Sequence, residues 1–561
     1  MSRSQHAPTG NVSPPSAGDR GHRRVMFSLA AASLLIAWIY LAVISRTDPW
    51  YRNTDMNIHN MADALAINSG QSPYRIDQPA TLTKLLLALD YRIRHFTGQL
   101  PVWNTKKLGG SPEPLAEIRN LVHIGRVHSR VLVMLFILSA AGLAWTVTRN
   151  ADATCLTIIL LCSSAGVLFH GLLVRPELLC VLLGNILALQ CAYQATESRD
   201  WLKRHLWLFL AGLLGGLAVL EKLPGMGYLA ACGTWCWLAA LLGSNRAPEP
   251  PVDNGPGPRW SYGLLPAAAA ASVLGLLVIA VELPDVYDPV AVMRLRAAAV
   301  GVALLPLFTL ATVRHRLGSF LLARGAELAF LGAGALVALP LCYALFRTVL
   351  PATPASYYLW QNIQLFLNPG PLMKVLLAVK PDVSREFMQF FRDSPVLFIG
   401  TCLVVPAVAA VRSIPWRTKA FIGLLVVVAF GLTLLMSRRY FTAQYSIFPQ
   451  VPLLLALAFS FAAVLRRRRE SHPAEGRPWA VPLVVTAAFV LMLSGFLRVR
   501  TKYLNYQDDA ALPVRDVTLT FLFDHDVHPP AYRKAMKDRF GDREHFAEAL
   551  QHYLADPANR P

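Results

Sequence analysis

Apolar runs of about twenty residues recur along this chain, separated by short connections in which Lys and Arg collect, and no other feature limits its fold as strongly. Backbone amides in hydrocarbon must bond within their own segment, so such runs fold as membrane helices. A content of 54% hydrophobic and 16% charged residues in 561 exceeds what one soluble core uses. The expectation is an all-α polytopic membrane protein. The runs 26–45, 124–148, 153–174, 177–195, 206–221, 224–243, 262–282, 290–312, 326–350, 395–411, 418–436, 444–465 and 479–497 predict about thirteen spans.

Charge orders these spans. With residues 1–25 inside as a disordered, Arg-rich tail, the inner connections hold Arg149, then Arg199, Lys203 and Arg204, then Arg246 and Arg259. Arg314, Arg316 and Arg324 follow, then Arg412, Arg417 and Lys419, and finally Arg466–Arg469. That alternation leaves 46–123, 351–394 and 498–561 outside. The predicted organisation is a membrane domain over 26–497 with outer loops 46–123 and 351–394, followed by a small helical extracytoplasmic segment, 498–561. The net charge of +19 is topogenic. Basic runs interleaved with stacking aromatics are missing from the sequence, so no nucleic-acid partner is expected. The eight cysteines fall in apolar stretches and imply neither a disulfide framework nor a zinc site. No metal and no cofactor is expected.

The polar stretch after the first span, "TDMNIHNMADALAINSGQSPYRIDQP", holds the leading candidate, Asp55. A carboxylate where a membrane helix emerges is costly unless paired or working. If residues 55–67 are helical, Ile58, Met61 and Leu65 form an apolar stripe and Asp55, His59 and Asp63 follow one another at intervals of four on a neighbouring face. That pattern fits a helix on the membrane surface presenting acids to a cleft, while amphipathicity alone favours a solvated loop helix with ordinary surface carboxylates. Arg175, Lys222, Arg438 and Arg439 stand at predicted outer helix ends, where topology requires no cation, and suit a lipid phosphate. Against this, Arg175 pairs locally with Glu177, Lys222 with Glu221, and Arg438 and Arg439 snorkel to headgroups.

The run from Asp55 through Gly70 and "SPY" to "DQP" resembles the first external loop of the GT-C membrane glycosyltransferases, particularly the protein O-mannosyltransferase and lipid A aminoarabinose transferase branch. "GRVHSRVLVMLF", "GLLVRPELLCVLLGNILAL", "GLLGGLAVLEKLPG" and "SRRYFTAQYSIFPQVPLLLALA" resemble later motifs of that family in order, over about residues 26–465. Met56 stands where Glu is common, His59 where Tyr is frequent, and "IDQPA" replaces a Lys-Pro-Pro. The resemblance implies an inverting, metal-independent glycosyltransferase with a GT-C-like bundle. Its donor is a polyprenyl-phosphate sugar, and the acceptor is a hydroxyl of a glycan, lipid or protein on the outer face of the inner membrane. In that reading Asp55 is the general base, and His59, Asp63 and Glu177 orient the acceptor. Arg175, Lys222, Arg438 and Arg439 hold the donor phosphate. A lipid-linked sugar flippase and a catalytically silent assembly or binding relative are the rival readings.

Overall fold

The computed structural model describes residues 17–47, 49–51, 54–71, 73, 80–198, 200–222, 224–243, 316–349, 383–412, 414–436, 443–471, 480–505, 516–523 and 528–559. Described residues form helices and no strand. In order these are α1 (Ala17–Thr47), α2 (Thr54–Asn68), α3 (Thr81–Phe96), α4 (Thr105–Gly109), α5 (Pro114–Thr148), α6 (Ala151–Ser163) and α7 (Ala165–Phe169). Next come α8 (Pro176–Glu197), with a π-helical turn at Leu182–Ala188, α9 (Trp201–Glu221) and α10 (Gly225–Gly243). The later helices are α11 (Arg316–Val349), α12 (Val383–Asp393), α13 (Pro395–Ala410), α14 (Trp416–Met436), α15 (Ile447–Ser471) and α16 (Ala480–Asn505). Last are α17 (Asp516–Phe523), α18 (Pro530–Phe540) and α19 (Arg543–Ala555).

Among the described residues 7 helices are long and apolar enough to cross a membrane, and they lie in α1, α5, α8, α9, α10, α14 and α15. The chain is thus an all-α, multi-pass membrane protein. Shorter apolar stretches occupy α6, α13 and parts of α11 and α16, while the expected spans 262–282 and 290–312 lie outside the described residues. The expected span 153–174 is broken. Ser164 leaves the helix with extended backbone (φ −82, ψ 113) and its hydroxyl caps the next turn by accepting from the Val167 amide.

Two apolar cores stack along the molecule. The larger joins the spanning helices; the smaller forms a cap from residues 50–124 together with α17, α18 and α19, and takes in Val174, Leu220 of α9 and Ala338 and Cys342 of α11. Leu82 and Leu217 pack against both. The helical segment expected in the tail contains α18 and α19, and they share a core with residues 50–124 rather than standing apart. Trp50 donates from Nε1 to the Asn559 carbonyl (3.2 Å) and Arg119 to the Asn559 side chain (3.3 Å). The Tyr532 hydroxyl donates to the Leu522 carbonyl (2.9 Å), and burial holds that phenol well above its ordinary pKa.

Phe546 is fully buried, stacked on Phe523 (5.2 Å between centroids) with Phe540 edge-on (5.1 Å). Phe546→Ala is expected to cost about 3–5 kcal/mol of cap stability. Limited proteolysis in detergent then cleaves the tail ahead of the bundle, and equal protection of tail and bundle would contradict the shared core.

One helix crossing is unusually close. A Cβ on Gly212 of α9 would lie 1.9 Å from the Leu331 carbonyl oxygen of α11, and one on Gly334 of α11 would lie 2.0 Å from that of Phe209. Arg204 and Glu327 join the same two helices by an ion pair. Small residues let helix backbones touch where lipid offers no hydrophobic drive to associate.

Candidate functional site

The two cores meet at a layer of buried ionisable groups built from segments far apart in sequence. Pro176 starts α8 and restricts the residue before it, so Arg175 is extended (φ −133, ψ 140) at the N-cap. A cation is unfavourable at a helix N-terminus, and Glu177 in the first turn answers it. Arg175 donates from Nε to Glu177 Oε2 (3.1 Å) and from Nη2 to Oε1 (3.0 Å). Lys222, in extended backbone just beyond α9, brings Nζ to the same Oε1 (2.6 Å) and lies 4.7 Å from the centre of the Tyr445 ring. Two cations therefore share one carboxylate, and His170 lies within electrostatic reach of it.

The expected local pair of Arg175 with Glu177 is present, whereas that of Lys222 with Glu221 is not. Lys222 leaves the helix where Glu221 ends it, so the two side chains serve different partners. Glu221 accepts from the Leu82 amide (2.8 Å), the Thr83 amide (3.3 Å) and the Thr83 hydroxyl at the start of α3. A carboxylate at a helix N-terminus satisfies amides that have no intrahelical acceptor. Thr81 Oγ1 donates to the Leu220 carbonyl (3.1 Å), which completes the joint.

On the cap side, α2 differs from its sequence expectation. Every residue from 57 to 68 is buried, so α2 does not lie on the membrane surface with acids facing a cleft. Its polar side is covered by other protein. Asp63 pairs with Lys84 of α3 (2.8 Å), both side chains being 1% exposed. His59 Nδ1 lies 3.2 Å from His528 Nδ1 next to α18. Asn57 Oδ1 accepts from the Val174 amide (2.9 Å) and Asn60 Nδ2 donates to the Val174 carbonyl (2.8 Å), clasping the residue that precedes Arg175.

Arg126, in the "GRVHS" stretch of α5, donates to the carbonyls of Ser45 (3.1 Å) and Pro49 (3.2 Å) and so fixes the chain leading from α1 toward α2. Asp55 stands in the first turn of α2. Its side chain, and Arg438 and Arg439, lie outside the described residues, as does 351–382.

Of the candidates, the structure brings Arg175, Glu177 and Lys222 into direct contact, while His59 and Asp63 of α2 contact His528 and Lys84. Asn57, Asn60, Lys84, Arg126 and Tyr445 were not foreseen. Asn57 and Asn60 carried a signal, two amides three apart on one helical face. No group of three or more metal-ligating side chains occurs among the described residues.

No protein-family model matches the chain. No curated protein matches it either. Its structure is similar to that of the oligosaccharyltransferase AglB from Archaeoglobus fulgidus in complex with an inhibitory peptide and a dolichol-phosphate: 14% identity, 84% of this chain over 56% of that one, TM-score 0.45. The apo form of the Archaeoglobus fulgidus enzyme is similar at 14% identity, with 90% of this chain over 59% of that one and a TM-score of 0.46. This chain spans less than two thirds of the length of those proteins.

Proposed function

We propose that the chain is a membrane glycosyltransferase that moves a sugar from a polyprenyl-phosphate carrier to an acceptor hydroxyl at the extracytoplasmic face of the inner membrane. One observation carries the reading. The family-like stretches, which are weak individually and hundreds of residues apart, supply one connected layer: α2, Val174–Glu177, Glu221–Lys222 and Tyr445. Local structure alone gives no reason for motifs so distant to meet.

In this reading Asp55 accepts the proton of the acceptor hydroxyl as its oxygen attacks the anomeric carbon. The bond from that carbon to the phosphate oxygen breaks on the opposite face, which inverts the configuration, and the polyprenyl phosphate departs with the bonding pair. Lys222 and Arg175, which meet at Glu177, answer its growing charge. Arg438 and Arg439 complete the phosphate site, and His59, Asp63 and Glu177 hold the acceptor side through α2 and the Val174 clasp. No metal is assigned to the step. Residues 26–497 form the membrane domain of this enzyme, and 498–561 close its cap.

Asp55→Asn is expected to lower transfer at least about a hundredfold, the lower end of general-base contributions, while insertion and unfolding temperature stay unchanged. The assay follows radiolabelled lipid-linked sugar in proteoliposomes. Full activity in that variant would overturn the assignment of the base, and binding of the lipid-linked sugar by the wild type without any product would identify a binding protein instead.

A further inference from the structure

The surface-lying helix expected at α2 has a counterpart elsewhere, in α3. Leu86, Leu89, Ile93 and Phe96 recur at intervals of three and four and form one stripe, exposed by 38%, 52%, 52% and 78% respectively. The opposite face buries Thr81, Thr83 and Lys84 along with Leu87, Ala88 and Tyr91. A helix with water on its open side does the reverse, covering its leucines and leaving its lysine wet. Here the lysine is inside on Asp63 and the apolar stripe is outside.

The height of the helix identifies what meets that stripe. The amides of Leu82 and Thr83 bind Glu221, the last residue of the spanning helix α9, so α3 starts where that helix leaves the apolar layer. Leu82 packs against both cores, which makes the stripe continuous with the apolar surface of the bundle. At 16 residues α3 is about 24 Å long. It is too short to span and carries Asp90, Arg92 and Arg94 along its length. Arg94 is bonded to Asp90 (3.0 Å) and Arg92 lies 5.6 Å from the Trp103 ring, so both guanidinium groups are held beside the stripe, as suits a helix that meets lipid phosphates.

We infer that α3 is a membrane-docking helix, whose outward stripe lies among the headgroups and upper acyl chains of the leaflet beneath the cap. Its inward face holds Lys84 and Thr83 in the ionic layer, so the lipid surface and the candidate site share one rigid element. This stands on the multi-pass fold and is independent of the reaction proposed above.

The test uses the full chain in vesicles of phosphatidylethanolamine and phosphatidylglycerol. Nitroxides are attached at Ile93→Cys, Phe96→Cys and, as an exposed control on α19, Glu544→Cys, each in a Cys402→Ser background because Cys402 is the exposed thiol among the described cysteines. Power-saturation electron paramagnetic resonance is expected to show oxygen reaching positions 93 and 96 more readily than a nickel chelate, by severalfold, with the order reversed at position 544. Ready access of the nickel chelate to all three would overturn the inference by placing the stripe in water. Exclusion of both reagents from positions 93 and 96 would overturn it in favour of a protein surface, such as a second copy of this chain.

Discussion

Glu177→Gln is expected to cost about 3–5 kcal/mol of stability, the cost of removing one partner from a buried ion cluster. The side chain keeps its size, so packing is not the cause. Arg175, Glu177 and Lys222 are all within the protein, and loss of the one carboxylate leaves two buried cations facing each other. The unfolding midpoint in detergent should fall by several degrees and the yield of monodisperse protein with it. Replacing Arg175, Glu177 and Lys222 together by Met is expected to recover most of that loss, since an apolar set has no charge to desolvate. An unchanged midpoint in Glu177→Gln would mean that water reaches the cluster and that its cations are not held by this carboxylate.

Gly212→Ala and Gly334→Ala should be at least as damaging, although each adds a single methyl group. The new Cβ would meet a backbone carbonyl oxygen at 1.9 Å in the first and 2.0 Å in the second. A side chain could turn aside; a helix backbone cannot. The cost lies at or above the upper end of the ~1–3 kcal/mol usual for overpacking. Gly332→Ala and Gly431→Ala are the matched controls, because a Cβ at either meets nothing within 4 Å. They are expected to unfold like the wild type, or slightly later, since alanine favours the helix. Size-exclusion profiles and thermal unfolding of the four variants separate the outcomes. Equal loss in all four would trace the effect to helix propensity rather than to the α9–α11 crossing.

The seven spans among the described residues were legible in the sequence because hydrocarbon enforces a simple code of length and apolarity. The code failed at Ser164, where a small polar residue in an apolar run ends one helix and caps the next. It also misread α2 and gave no reading of α3. Periodicity identifies which residues share a face but not what that face meets. The stripe of Ile58, Met61 and Leu65 faces a protein core, and that of Leu86, Leu89, Ile93 and Phe96 faces outward.

Ion pairing was legible only at short range. Arg175 and Glu177 are two apart and bonded, whereas Lys222 bypasses its neighbour Glu221 for a carboxylate 45 residues away. The Asn57 and Asn60 contacts were invisible for another reason. They bind the main chain of Val174, which leaves no mark on residue type.

The shared core of the cap sets a timetable for biogenesis. Most of its first part has been made by residue 124, with Val174, Leu220, Ala338 and Cys342 following, but α17, α18 and α19 lie between residues 516 and 555. At synthesis rates of 5–20 residues per second, about 390 residues of intervening chain take roughly 20–80 s to make. Throughout that interval α2 lacks the helices that later cover it. The nascent cap is therefore a client for chaperones, and ribosome stalling between α5 and α17 should expose it to proteases that spare the finished protein.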